Sequence, residues 1–314
     1  MNRKYDRIFF KKRGRLKKPM KRIILDTDIG SDIDDTWALC FLLNHPEIEI
    51  VLVSVTDGDT DYRARLVRTI LRQAGKDIPV VQGKASKQIE SPFEGILQRR
   101  NDENKDYVAA YRCALKENVD AVISIGPSTS LTVVADIIAE AGVSVHVMGG
   151  SIREGYFGGP ISAECNVVQN PAAFRGVMQA IGKRYYLYPL DICNSIIMQG
   201  ENYRKVLRSE DRVTDILLRH YFYWDKVYTG GAQKADISVS STILYDLAPV
   251  WGALMPEDFT YKSMKVAVTD EGMTVENDAF GTEIFVAESA DIERLLALTV
   301  EVLSGERKEN AKNL

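Results

Sequence analysis

The chain has 314 residues, of which 45% are hydrophobic and 27% are charged, so it is long enough to bury a large core. It has no run of about 18 apolar residues, which argues against a membrane span, and its four dispersed cysteines argue against a zinc ribbon or a disulfide framework. The net charge of −4 hides an asymmetry, because residues 1–22 carry eleven Lys and Arg against one acid. The acidic remainder disfavours nucleic acid as the main substrate, and the cysteine usage is typical of the reducing cytoplasm.

Short apolar runs alternate with helical patterns through the first 200 residues. This alternation is typical of a parallel sheet that is covered on both faces. The sequence therefore predicts an α/β fold: a single-domain, Rossmann-like, open and mostly parallel sheet flanked by helices. The predicted strands are 22–26, 48–56, 78–83, 119–126, 143–150 and 184–191, and the predicted helices lie near 35–44, 61–75, 106–117, 129–141 and 171–182.

The pattern beyond residue 200 is helical, then continues as a strand-like tail at 259–278 and a helix near 289–304. Neither an internal repeat nor a linker interrupts the chain, so we expect one domain over residues 21–304. A basic arm, residues 1–20, precedes this domain, and a charged tail, residues 305–314, follows it. The arm lacks the apolar segment of a secretory signal, and we expect it to be disordered and solubilising. A contact with nucleic acid, anionic lipid or an acidic subunit is the alternative.

Five aspartates lie within residues 26–35, at the end of the first predicted strand. An aspartate at a helix N-terminus is common, but five carboxylates exceed what one helix end needs. Partly buried carboxylates repel one another unless a cation lies among them. Oxygen ligands without nearby Cys or His indicate Ca²⁺ or Mg²⁺. Polar residues follow four other predicted strands, and their side chains should meet at the same edge of the sheet, where such sheets bind ligands.

Motifs at successive strand ends form an ordered set: ILDTDIGSDIDDTWAL, PEIEIVLVSVTDGD, DAVISIGPSTSL, VHVMGGSI with SAECNVVQNPAAF, YPLDIC and ILYDLAPV. In this order they resemble the nucleoside hydrolases of the inosine–uridine-preferring type, over residues 21–300. The resemblance implies Ca²⁺-dependent hydrolysis of the N-glycosidic bond of a ribonucleoside, which releases base and ribose. It also implies assembly as a homodimer or homotetramer, and nothing in the pattern indicates contact with a membrane.

The resemblance assigns roles to individual residues. The Ca²⁺ ligands it implies are Asp28, Asp35, Asp246 and the backbone carbonyl of Thr129. The ribose contacts it implies are Asp59, Met148, Glu164 and Asn166, and the general base is Asp34. Such a cation lowers the pKa of a water molecule, the base takes a proton from that water, and the sugar passes through an oxocarbenium-like state.

The chain departs from the family pattern at two points that bear on catalysis. Five residues rather than three separate Asp28 from the aspartate pair, which adds Asp32. Either Asp32 or Asp34 could be the base, and we favour Asp34 because it keeps the pairing. Tyr245 stands where purine-active relatives often have a histidine that protonates the leaving base, and its ordinary pKa of about 10 makes it a weaker acid.

An aromatic segment, residues 220–228, offers substitutes for that histidine. Helix packing is the alternative role for most of its side chains. The glycine pair at 230–231 indicates a mobile loop, so we expect Trp224 and Tyr228 to cap a planar base.

Three functional hypotheses follow. The first is the Ca²⁺-dependent ribonucleoside hydrolase. The second is a non-catalytic or weakly active nucleoside- or ribose-binding relative with a degenerate leaving-group site, suggested by Tyr245 and Asp59. The third is a phosphatase with Asp26 as nucleophile, which is disfavoured because Gly30 replaces the Thr of the motif Asp-x-Asp-x-Thr.

Overall fold

The computed structural model describes residues 20–87, 90–97, 106–229 and 236–306. The predicted basic arm up to residue 19, the glycine pair at 230–231 and the predicted tail beyond residue 306 lie outside these ranges. Within the described ranges, no helix is both long enough and apolar enough to cross a membrane. The expected single domain stays a prediction.

A nine-stranded sheet forms the centre of the fold. The described residues form eleven strands, of which nine belong to this sheet. In chain order they are β1 (Lys21–Thr27), β2 (Ile48–Val55), β3 (Val80–Gln82), β4 (Ala121–Ser124), β5 (Ser144–Met148), β6 (Tyr185–Tyr188), β7 (Ile197–Gln199), β8 (Ser240–Ile243), β9 (Phe259–Val268), β10 (Thr274–Glu276) and β11 (Thr282–Ala290). The order in the main sheet is β10-β9-β11-β6-β5-β4-β1-β2-β3, and β7 pairs with β8 separately. Neighbours from β11 to β3 are parallel, whereas β9 is antiparallel to both β10 and β11.

Helices cover both faces of this sheet. They are α1 (Asp34–Asn44), α2 (Thr60–Ala74), α3 (Tyr107–Leu115), α4 (Ala135–Ala141), α5 (Cys165–Val168), α6 (Pro171–Ile181), α7 (Leu190–Cys193), α8 (Gly200–Leu207), α9 (Arg212–Trp224), α10 (Leu247–Leu254) and α11 (Ile292–Leu303). A π-helical turn, Asp225–Thr229, continues α9. One face carries α1, α2, α9, α10 and α11, and the other carries α3, α4 and α6.

The central strand β1 explains why the sequence makes two cores. Successive side chains of a strand point to opposite faces of its sheet. Ile23 and Leu25 belong to the core beneath α1, whereas Ile24 belongs to the core beneath α3 and α4, and all three are fully buried. An unbroken apolar run is therefore what a strand covered on both faces requires.

The predicted fold class is confirmed: the sheet is open, mostly parallel and flanked by helices. The predicted helix at 129–141 differs, because a 3₁₀ turn (Leu131–Val133) precedes α4, which begins only at Ala135. The sequence pattern also does not predict β11. Its apolar stretch at 284–287 is short and lies between Glu283 and Glu288, so it resembles a surface segment.

Candidate active site

A cavity of about 480 Å³ lies at the carboxyl ends of β1, β4 and β5, where open parallel sheets bind ligands. Its walls combine many carboxylates with three tyrosines. The lining residues are Asp28, Ser31, Asp32, Asp34, Asp35, Arg63, Glu90, Ile125, Met148, Tyr156, Glu164, Cys165, Asn166, Gln169, Tyr228, Tyr245 and Asp246. Among the site residues predicted from sequence, Thr129, Asp59 and Trp224 do not belong to this lining.

Three carboxylates converge at the acidic wall. Asp34 and Asp35 begin α1, and Asp246 immediately precedes α10. Each offers a carboxylate oxygen, and these oxygens all lie within 4.8 Å of one another. The three side chains are buried, with exposed fractions of 6%, 4% and 3%. Two helix N-termini thus direct carboxylates at one point, and the positive ends of the helix dipoles favour negative charge there.

The charge of this group is poorly compensated by the protein itself. Burial, followed by repulsion from neighbouring aspartates, raises the pKa values of Asp34 and Asp246 well above the ordinary range. Burial also raises the pKa of Asp28 to about 6, although Arg63 lies 3.6 Å from its carboxylate and opposes the shift. A divalent cation would favour the ionised carboxylates, and an all-oxygen donor set is the type that Ca²⁺ and Mg²⁺ prefer.

Buried side chains hold the loop that carries these aspartates. The backbone carbonyls of residues 29, 30 and 31 accept hydrogen bonds from Arg63 Nη1 at 2.9 Å, Tyr62 Oη at 2.7 Å and Trp224 Nε1 at 2.9 Å, in that order. All three donor side chains are fully or almost fully buried. Three consecutive peptide groups are thereby fixed from α2 and α9, on the path between Asp28 and α1. We call these bonds the carbonyl clamp.

The turn after β4 reaches the cavity at Ile125, whereas Thr129 is not among the lining residues. Ile125 follows β4 and lines the cavity, and its carbonyl accepts a bond from Asn166 Nδ2 at 3.3 Å. The next residue must be glycine, because a Cβ on Gly126 would lie 2.8 Å from Asp28 Oδ1. The chain then leaves the cavity, and Thr129 Oγ1 instead accepts a bond from Asn170. Motif spacing alone did not identify the residue at which this turn passes the site.

Glu164 and Asn166 tie the ends of two strands together. Glu164 accepts hydrogen bonds from the backbone N–H groups of Gly150 at 3.0 Å and Asn166 at 2.9 Å, and it caps α5. Asn166 Nδ2 lies 3.3 Å from the carbonyls of both Ile125 and Met148. Burial raises the pKa of Glu164 to about 7, against the effect of the backbone N–H groups. These side chains therefore sit rigidly beside the acidic wall.

Three tyrosines also line the cavity. Tyr156 and Tyr245 meet edge to face, with their ring centroids 6.2 Å apart and their planes at 81°. Tyr228 is 44% exposed and stacks on Trp224 at a centroid distance of 5.6 Å. Burial raises the pKa of Tyr245 above its ordinary value. All three histidines lie in the described part of the chain, and none of them lines the cavity.

Two further predicted substrate contacts have other roles in the structure. Asp59 caps α2, where its Oδ1 accepts hydrogen bonds from the backbone N–H groups of Asp61 and Tyr62, both at 3.0 Å. Trp224 is 1% exposed and lies behind the aspartate loop, so packing is its role there, together with the bond to the carbonyl of Ser31. Tyr228 is therefore the member of the predicted aromatic cap that faces the cavity.

Asp26 lies in the core rather than in the cavity. It is fully buried, and its carboxylate accepts hydrogen bonds from Ser54 Oγ at 2.6 Å and Ser124 Oγ at 3.2 Å. Burial raises its pKa to about 7. This position removes the nucleophile that the phosphatase hypothesis requires.

Sequence reasoning missed several lining residues. Arg63 occurs in an amphipathic helix rich in arginine, where nothing distinguishes a buried arginine from an exposed one. Tyr156 lies in a glycine-rich stretch that carries no periodic signal. Gln169 and Glu90 are isolated polar residues, so their positions follow only from the tertiary fold.

The carbonyl clamp predicts that Trp224 acts on cation binding without touching a cation. Trp224→Phe keeps the buried ring but removes the N–H donor to Ser31, at a cost of about 1 kcal/mol, and the loosened loop should bind a divalent cation about fivefold more weakly. Calorimetric titration with Ca²⁺ measures this change.

Trp251→Phe is the matched control, because Trp251 is equally buried and its Nε1 donates to Thr299 Oγ1 at 3.0 Å, outside the cavity. Both variants should lower Tm to a similar extent, but only Trp224→Phe should weaken Ca²⁺ binding. Equal Ca²⁺ affinities in the two variants would contradict the role of the clamp.

The raised carboxyl pKa values predict how the stability of the cation-free protein varies with pH. Asp28, Asp26 and Glu164 have folded-state pKa values of about 6, 7 and 7, above those of unfolded carboxyls, so folding takes up protons. Stability is therefore present at about pH 5 and is lost as the pH rises through the folded values. With a chelator present, Tm should be at least roughly 2 °C lower at pH 8 than at pH 5.

Addition of Ca²⁺ should remove most of this decrease, because the cation favours the ionised carboxylates. Tm measured by calorimetry from pH 5 to pH 8, with chelator or with Ca²⁺, checks both expectations. A Tm that rises with pH in the chelated protein would be inconsistent with this account.

Comparisons with known proteins agree with the geometry. A plant nucleoside hydrolase superposes with a TM-score of 0.76 at 21% identity, covering 91% of this chain and 99% of that one. The purine-preferring ribonucleoside hydrolase of Gardnerella vaginalis superposes with a TM-score of 0.74 at 18% identity, covering 91% of this chain and 98% of that one. The inosine–uridine preferring nucleoside hydrolase of Bacillus anthracis superposes with a TM-score of 0.67 at 18% identity, covering 91% of this chain and 99% of that one. These likenesses establish the fold.

The family itself follows from the sequence. No curated protein sequence matches the chain. The family model described as inosine–uridine preferring nucleoside hydrolase matches residues 23–297, which is most of the chain and includes every lining residue of the cavity. The chain belongs to the inosine–uridine preferring nucleoside hydrolase family.

Proposed function

We propose that this N-glycosidic bond hydrolase acts on a ribonucleoside and depends on a bound Ca²⁺ ion. The observation that carries the proposal is one cavity in which the carboxylates of Asp34, Asp35 and Asp246 converge, beside Glu164 and Asn166. Such a cavity offers oxygen ligands for a hard cation and polar groups for a sugar. The related solved structures from a plant and from Gardnerella vaginalis are nucleoside hydrolases, which supports the substrate class.

The cation ligands we propose are Asp28, Asp35 and Asp246, together with a backbone carbonyl. Ile125 is a better candidate for that carbonyl than Thr129, because Ile125 lines the cavity beside Asp28. A bound Ca²⁺ would orient the ribose hydroxyls and lower the pKa of a water molecule. Thr27 Oγ1 donates to Asp35, and this bond orients the carboxylate.

We assign the general base to Asp34. Its carboxylate lies in the converging group beside the proposed cation ligands, where it would accept a proton from a cation-bound water. Asp32 is the alternative base. It is exposed, and its Oδ1 accepts a hydrogen bond from the backbone N–H of Ile33 at 2.7 Å. A group held by its own loop is less free to take a proton from water.

Ribose binding is proposed for Glu164, Asn166 and Met148. Hydrolysis creates positive charge on the sugar ring, and fixed carboxylates stabilise that charge better than mobile water does. Glu164 and Asn166 are held by backbone groups of β4, β5 and α5, so they need little reorganisation during the reaction. Tyr245 and Tyr228 face the cavity and are the proposed contacts of the leaving base, whereas the buried position of Trp224 supports a positioning role.

The second candidate function is a weakly active or non-catalytic ribose-binding protein. The observation that favours it is the leaving-group side of the cavity, where Tyr245 is a poor acid and no histidine is present. The complete acidic wall favours hydrolysis over this alternative, since binding alone does not require a base beside a cation site. Assembly as a homodimer or homotetramer in the cytoplasm stays part of the proposal, and the free cysteines are in keeping with a reducing compartment.

Base release from a panel of ribonucleosides and deoxyribonucleosides tests the proposal. We expect release from at least one ribonucleoside, loss of release with a chelator, and recovery when Ca²⁺ is added back. Ribose binding without turnover of any nucleoside would favour the second candidate function.

Asp34→Asn tests the base. It keeps the size of the side chain but cannot accept the proton, so kcat should fall by about 10²–10⁴-fold. Asp136→Asn is the control, because Asp136 is exposed on α4 and lies outside the cavity. Wild-type turnover by Asp34→Asn would move the base to Asp32.

A further inference from the structure

The cavity has a large excess of negative charge among its described residues. Its ionisable acidic side chains are Asp28, Asp32, Asp34, Asp35, Glu90, Glu164 and Asp246, and its one cationic side chain in the described ranges is Arg63. A divalent cation in the converging group leaves several carboxylates without a counter-charge. An anionic substrate is therefore disfavoured, and a cationic one is favoured.

Arg63 does not offset this excess for a substrate. It is 1% exposed, its Nε donates to the carbonyl of Asp57 at 2.8 Å, and its Nη1 donates to the carbonyl of Ile29 at 2.9 Å. Its remaining nitrogen faces Asp28 at 3.6 Å. The guanidinium is thus fully engaged by the protein, and its charge is directed at one metal-site carboxylate.

Aromatic side chains and the carboxylate of Glu90 also line the cavity. Tyr156 and Tyr245 form a corner through their edge-to-face contact, and Tyr228 is held by stacking on Trp224. Glu90 lines the same cavity as Tyr228. Aromatic faces attract cations through the ring quadrupole, and a nearby carboxylate adds to that attraction. This combination suits a flat, positively charged ring better than a neutral one.

Among the described residues that line the cavity, none is a histidine that could protonate a neutral leaving base. His45, His146 and His220 are buried elsewhere. The two tyrosines of the corner are weak acids, since the ordinary pKa of a tyrosine hydroxyl is about 10. A neutral base that departs with the electron pair of its glycosidic bond becomes an anion unless it is protonated, and the acidic walls would oppose that anion.

We propose that the preferred substrate is a riboside whose base carries a positive charge at the glycosidic nitrogen, as in an N-ribosyl pyridinium. This inference rests on the proposed function and specifies its substrate class. The water oxygen forms a bond to C1′, the C1′–N bond breaks, and its electron pair neutralises the ring nitrogen. Asp34 accepts one proton from the water. The base departs neutral, so no proton has to be supplied to it.

Steady-state base release compares the riboside of pyridinium-3-carboxamide with inosine and uridine, using the full chain and Ca²⁺. The expected kcat/KM is about tenfold or more higher for the pyridinium riboside. An equal or higher value for a neutral riboside would overturn this inference and leave the proposed hydrolase intact. Absence of release from all three would count against the proposed function itself.

A matched pair of ligands separates recognition of charge from leaving-group reactivity, because a cationic base is intrinsically easier to expel. The pyridinium riboside and its reduced, uncharged dihydropyridine form share sugar and size. Their inhibition constants, measured by competition against a slow substrate, should differ by about tenfold in favour of the cation. Equal constants would contradict recognition of the charge.

Glu90→Gln tests the carboxylate that lines the cavity together with the tyrosines. It should lower the ratio of kcat/KM values, pyridinium riboside over inosine, by about two- to fivefold. Glu140→Gln is the control, since Glu140 is exposed on α4 and lies outside the cavity, and it should leave the ratio unchanged. An identical ratio in both variants would remove Glu90 from the recognition of charge.

Discussion

Mutual repulsion among buried carboxylates is the constraint on which the site depends. Asp34, Asp35 and Asp246 lie within 4.8 Å of one another and are almost fully withdrawn from water. Such an arrangement is costly unless a positive charge compensates it. Two helix N-termini supply part of that charge, and a divalent cation would supply the rest. The fold meets this requirement in part by starting both α1 and α10 at the carboxylates.

Rigidity around the acidic wall has the same origin. A cation site binds more tightly when its ligands are held before the ion arrives, because ordering a loop during binding costs free energy. The carbonyl clamp fixes residues 29–31 from two helices, and Gly126 allows the turn after β4 to approach Asp28 closely. The central sheet thus delivers the ligands, while α2 and α9 hold the loop between them.

Much of the fold could be predicted from the sequence, because buried parallel strands need unbroken apolar runs and these are visible in the chain. The acidic wall could also be predicted, since Asp28 to Asp35 is a local motif. Residues that reach the cavity through tertiary packing could not be predicted, because Arg63 and Tyr156 have no local sequence signal that marks them as cavity residues. The turn after β4 illustrates the same limit, because Ile125 lines the cavity and Thr129 does not, and the motif spacing does not predict which of them does so.

The most direct test of the account is to locate the cation. Crystals grown with Ca²⁺ should show one anomalous-scattering peak among the carboxylates of Asp28, Asp35 and Asp246, about 2.3–2.6 Å from their oxygens. A backbone oxygen of the turn after β4 should complete the ligand set. A peak at another place, or its absence at saturating Ca²⁺ with the carboxylates in this arrangement, would contradict the claim that a cation organises the site.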